Sequence, residues 1–147
     1  QKQKAFIQKV QGARQMINDY AKFVDKCTSA ESRETSAFQQ RITALSVMHP
    51  EVDWSRLMTS AIGMLAESGE FTEIMKKIFF QGKEMNEGNR YHMKRELGDV
   101  LWYWIQGCIA LGYTPEEVMK ENIAKLEKRY PNGFEQIRSE VREEGDI

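Results

Sequence analysis

Glu67-Ser68-Gly69-Glu70, followed across residues 71–95 by Glu96-Leu97-Gly98-Asp99, is the pattern around which this chain is organised. Each half sets two carboxylates three residues apart, which on a helix puts them on one face, one turn apart. Two such helices facing each other bring four carboxylates together. Carboxylates crowded in an apolar setting stay ionised only when they are paired or bound to cations. Oxygen donors alone point to magnesium, with manganese as a substitute, rather than zinc.

The residues around both pairs read as helix. Asp53 is placed to cap a helix from Trp54 to about Phe80, whose apolar face is carried by Leu57, Met58, Ala61, Leu65, Phe71, Met75 and Ile78. Gly63 and Gly69 fall inside it, each costing roughly 1 kcal/mol relative to alanine, so close approach of a neighbouring helix or a ligand is expected at both. Residues 81–88 read as a loop. Asn89 is the expected cap of a second helix running to about Leu111, apolar over most of its surface after Asp99, as suits the centre of a bundle or an oligomer interface.

On a helical wheel Glu67 falls beside Ile74 and Ile78, at the edge of the apolar arc, and Glu70 lies slightly further out. Glu96 falls between Val100 and Tyr103, with Asp99 again slightly outside. The two pairs therefore bear the same relation to their apolar faces and converge if those faces pack. Glu73 rotates towards solvent and is expected to be peripheral. Ferritin-like di-metal bundles use Glu-x-x-His pairs. Neither His49 nor His92 has an acid three residues upstream, which argues against redox di-iron chemistry.

Outside this core, Phe6, Val10, Ala13, Ile17, Tyr20 and Val24 form one stripe of a long helix from Gln3 to about Lys26, which needs a partner. Residues 28–36 are polar and small and read as a loop or a weak turn of helix. Phe38, Ile42 and Leu45 mark a shorter helix that stops before His49-Pro50. Thr114-Pro115-Glu116-Glu117 is the strongest helix start in the chain, with a cap, a proline at the first position and an acid at the third. That helix ends before Pro131-Asn132-Gly133, and a charged tail follows from Phe134 to Ile147. No strand-like alternation, repeat or low-complexity linker is present, so the expected fold is an all-α bundle of five to six helices.

The 147 residues fit one domain, with 1–47 as an N-terminal helical extension and 54–134 as the motif-bearing core. A hydrophobic fraction of 41% and a charged fraction of 29% are those of a soluble globular protein, and a net charge of −1 gives no reason to expect nucleic acid or a membrane as partner. The most apolar run, Val100 to Gly112, is too short to span a bilayer. Cys27 and Cys108 lack metal-site spacing and read as reduced thiols in a cytoplasmic setting.

Four segments in order, Ala66-Glu67-Ser68-Gly69-Glu70, Lys76-Lys77-Ile78-Phe79-Phe80-Gln81-Gly82, Glu96-Leu97-Gly98-Asp99-Val100-Leu101-Trp102-Tyr103 and Asn122-Ile123-Ala124-Lys125-Leu126-Glu127-Lys128-Arg129-Tyr130-Pro131, resemble the MazG-like all-α nucleoside triphosphate pyrophosphohydrolases. The resemblance covers roughly Trp54 to Phe134. Ser68 and Glu73 depart from the small or apolar residues commoner in the motif, and the first forty-odd residues match less clearly.

The resemblance implies hydrolysis of a nucleoside triphosphate between its α and β phosphates, and assembly as a homodimer or homotetramer. Glu67, Glu70, Glu96 and Asp99 would then hold magnesium, with Glu70 the candidate for orienting or deprotonating water. Lys77, Lys83, Lys125 and Arg129 are the candidate phosphate partners, Asn122 is carried over from the family-like Asn-x-x-Lys, and Trp54 or Phe80 is available to stack on a base. Two alternatives stay open: a non-catalytic helical binding or assembly protein, and a module that senses a nucleotide without cleaving it.

Overall fold

The computed structural model describes residues 2–141, and the last residues of the charged tail lie outside the described part. The chain is all-α. Five long helices form among the described residues: α1 (Lys2–Cys27), α3 (Thr35–Met48), α4 (Trp54–Gln81), α5 (Glu87–Ala110) and α6 (Pro115–Arg129). Two short ones form as well: α2 (Ala30–Arg33), the weak turn of helix that was one reading of residues 28–36, and α7 (Gln136–Glu140), within the expected charged tail. No helix among the described residues is long and apolar enough to cross a membrane.

Two compact units meet between Val47 and Met48. In the first, α1 and α3 contain no buried residue, and the apolar stripe of α1 is exposed along its length. Thr28 does not cap α2; its hydroxyl donates to the Val24 carbonyl at 2.7 Å instead. Both cysteines are free, Cys27 exposed and Cys108 buried.

The second unit is built on the antiparallel pair α4 and α5. Asp53 caps α4 as expected, accepting from the Arg56 amide at 3.0 Å, and its own amide donates to the Ala110 carbonyl at 2.9 Å, tying the start of α4 to the end of α5. At the other end of α4, Gly82 adopts the left-handed conformation (φ 69°), and it and Lys83 both return their amides to the Lys77 carbonyl. The α5 cap is Asn86 rather than Asn89. Asn86 accepts from the Asn89 amide at 2.9 Å, while the Asn89 side chain donates to the Glu84 carbonyl at 2.6 Å. Thr114 and Glu117 form the expected reciprocal capping box on α6.

The seam between α4 and α5 is rotated from the face the apolar pattern suggested. Ser60, Gly63 and Ile74 are its buried α4 residues, whereas Leu65 is 77% exposed. Close approach of two helix backbones selects small residues at the crossing. A side chain on Gly63 would run into the Tyr103 ring, and a Cβ on Gly107 would lie 2.6 Å from the Ser60 hydroxyl. Ser60 donates that hydroxyl to the Tyr103 carbonyl at 2.7 Å. Gly69 differs: no atom lies within 4 Å of its would-be Cβ, and α4 continues unbroken through it.

Central burial of α5 is not found either. One face packs on α4, while Leu97, Leu101, Trp102 and Ile109 stay about half exposed. The buried apolar side chains among the described residues are few: Ile74, Cys108 and Ala110.

Candidate metal centre

The register set by Ser60, Gly63 and Ala110 carries along the helix pair to the four acids. Going down α4 from Gly63 and up α5 from Tyr103, the next facing turns are Glu67 with Glu96 and Asp99, and then Glu70 with His92 and Glu96. Glu67, Glu96 and Asp99 each offer one carboxylate oxygen within 4.8 Å of the others, and one ligand atom each of Glu70, His92 and Glu96 meets the same limit. All four carboxylates read from the sequence are thus gathered in two overlapping groups that share Glu96.

Burial follows the helical wheel. Glu96 is buried, its side chain only 7% exposed, Glu67 is half-buried, and Glu70 and Asp99 are exposed. The loss of water around Glu67, then the charges of Glu70, Asp99 and Glu96, raise its carboxyl above the usual range, and a hydrogen bond with Glu96 adds to this. Crowded anions whose repulsion resists ionisation fit a hard divalent cation, which would relieve them. Glu73, one turn beyond Glu70, is peripheral: hydrogen bonds from Lys76 and Lys77 hold its carboxyl below the usual range.

His92 is the member that the sequence reading left out. Its Nε2 lies 2.8 Å from Glu96 Oε1, one helical turn away on α5. The available signal was the His92-x-x-x-Glu96 spacing, which puts the imidazole on the face of the buried acid.

The other candidates are spread more widely. Lys77 is 3.3 Å from Glu73, and Lys83 is partly buried just past the α4 cap. Asn122 and Lys125 line a cavity of about 600 Å³ with Tyr113, Glu117, Val118 and Glu121, a wall that includes none of the four acids. Arg129, at the end of α6, lies 6.0 Å from the Tyr130 ring centre. Trp54 begins α4, about 20 Å from Glu67 at 1.5 Å per residue. Its indole nitrogen is buried without a hydrogen-bond partner, and its ring is 6.3 Å from that of His49. Phe80 is exposed and tilts against Phe79.

The family model of the MazG nucleotide pyrophosphohydrolase domain matches residues 58–134, more than half of the chain and all of the carboxylate-bearing helix pair except the first four residues of α4. This chain belongs to the MazG family. MazG proteins are nucleotide pyrophosphohydrolases and typically metal-dependent, so an acidic cluster on the two central helices is in keeping with membership. The MazG-matched segment overlaps a similarity to the Gene 37 protein of Mycobacterium phage L5, 34% identical over 74 residues. That alignment spans 49% of this chain and 64% of the phage protein, a little less than two thirds of its length. No solved structure matches the chain.

Proposed function

We propose that this MazG-family chain is a magnesium-dependent pyrophosphohydrolase that cleaves ribo- or deoxyribonucleoside triphosphates between the α and β phosphates. The observation that carries the reading is the convergence of Glu67, Glu70, Glu96 and Asp99 from two facing helices, with Glu96 buried among them. Water adds to the α phosphorus, the bond from that phosphorus to the bridging oxygen breaks, and the products are a nucleoside monophosphate and pyrophosphate. When bound, a divalent cation supplies charge neutralisation at the phosphates and eases deprotonation of water.

The chain's own groups divide the work by exposure. Glu67, Glu70, Glu96 and Asp99 would hold the cation, and Glu70, the acid open to solvent on α4, would use its second carboxylate oxygen to orient the attacking water and take its proton. Lys83, Asn122, Lys125 and Arg129 are the proposed partners of the phosphates and sugar. Lys77 joins them only by leaving Glu73. The exposed apolar residues Leu97, Leu101, Trp102 and Ile109 support assembly as a homodimer or homotetramer.

The test is release of pyrophosphate and monophosphate from a panel of canonical and modified nucleoside triphosphates, with magnesium and with chelator. Metal-dependent appearance of both products supports the reading, and the ranking narrows the substrate. Folded, metal-loaded protein that binds nucleotides without turnover would make it a sensing module, and one that does neither would make it an assembly protein.

A further inference from the structure

We infer that His92 is a metal ligand: Glu70, His92 and Glu96 form a second cation subsite, joined through Glu96 to the all-oxygen subsite of Glu67, Glu96 and Asp99, and the nitrogen donor makes it prefer Mn2+ to Mg2+. This rests on the reading of the carboxylate cluster as a metal centre.

Two observations converge on it. The half-exposed imidazole lies at the edge of the cluster, with Nε2 2.8 Å from the oxygen of a carboxylate that is 7% exposed. Glu70 reaches the same place from the facing helix, so ligand atoms of all three residues lie within 4.8 Å of one another, a span one ion closes with small side-chain movements.

The donor sets of the two subsites differ in kind. Glu67, Glu96 and Asp99 present oxygen only, which suits the strict oxygen preference of Mg2+. Glu70, His92 and Glu96 present two oxygens and a neutral imidazole nitrogen, a set that Mn2+ and later divalent metals accept more readily than Mg2+ does. His92 reaches the cluster by its Nε2, which leaves its other nitrogen free of the cation.

Pulsed electron paramagnetic resonance of the untagged full chain loaded with manganese chloride tests this. The chain has two histidines, His92 and His49, and His49 lies in the α3–α4 loop beside Glu51 at 3.4 Å. Nitrogen-14 modulation of the Mn2+ signal is expected in the unmodified chain and in His49→Gln, and absent from His92→Gln. His92→Gln should also retain one Mn2+ fewer per chain. Should His92→Gln fail to fold, His49→Gln alone decides, because its remaining imidazole is that of His92. Bound Mn2+ without nitrogen modulation overturns the inference, as does modulation that disappears with His49. If pyrophosphate is released with Mg2+ while Mn2+ shows no nitrogen coupling, the inference alone fails. If the chain retains no Mn2+ at all, the inference fails together with the metal-centre reading.

Discussion

The two halves of the α4–α5 pair are opposites. Near Ser60, Gly63, Gly107 and Ala110 the backbones come close, small residues fill the crossing, and a hydroxyl bonds across to a carbonyl. One to three turns away, beside Glu67, Glu70, Glu96 and Asp99, like charges face one another. Dispersion and burial hold the first half together, whereas Coulomb repulsion strains the second. The packed half fixes the register that the charged half would otherwise abandon. An arrangement of this kind is expected to fold without metal and to gain stability on binding it.

Variants that separate the halves put this contrast at risk. The largest effect is expected from Glu96→Gln or Asp99→Asn, each lowering turnover at least about 100-fold, since even outer-shell changes around metals cost 10- to 100-fold. Circular dichroism should report an intact fold. Retention of activity by both would remove the charged half from the chemistry.

At the packed half, Gly63→Ala drives a methyl group into the Tyr103 ring, and denaturant unfolding should show a loss of about 1–3 kcal/mol. A neutral result would mean that the crossing is looser than its geometry. Ser60→Ala removes one cross-helix hydrogen bond and is expected to cost about 1 kcal/mol, with the stability gained from magnesium unchanged. A magnesium response that weakens in parallel would show that the halves are coupled rather than independent.

The smallest change concerns Glu67 in the metal-free chain. Its carboxyl binds a proton more tightly folded than unfolded, so its contribution favours the fold below the usual carboxylate range and is lost as pH rises through the raised value. Glu67→Gln should flatten that loss, giving a slightly higher melting temperature at neutral pH in chelator and a smaller gain on adding magnesium. A lower melting temperature in chelator would mean that Glu67 is held by attraction rather than repulsion.

How much of this was legible in the sequence depends on which force decides each feature. The caps at Asp53 and Thr114 and the relative burial of the four acids could be read directly, because capping and helical phase are local. Asn86 and Asn89 are equally good caps by type, and only the Glu84 carbonyl, which engages Asn89, separates them. The α4 seam was misread because apolar periodicity favoured Leu65, while the close crossing selected Ser60 and Gly63. His92 does not fit the Glu-x-x-His pattern, because its acid lies four residues downstream and its other neighbour, Glu70, comes from the facing helix. Leu101 and Trp102 stay about half exposed within the described chain, so the all-round apolarity of α5 predicted a burial that the described chain alone does not provide.

Every member of the carboxylate–histidine centre comes from two consecutive helices joined by the short turn that begins at Gly82. Contacts so near in sequence close with little loss of chain entropy, and helical hairpins of this type are among the quickest structures to form. The four acids and His92 can therefore be gathered before α6 docks on α5.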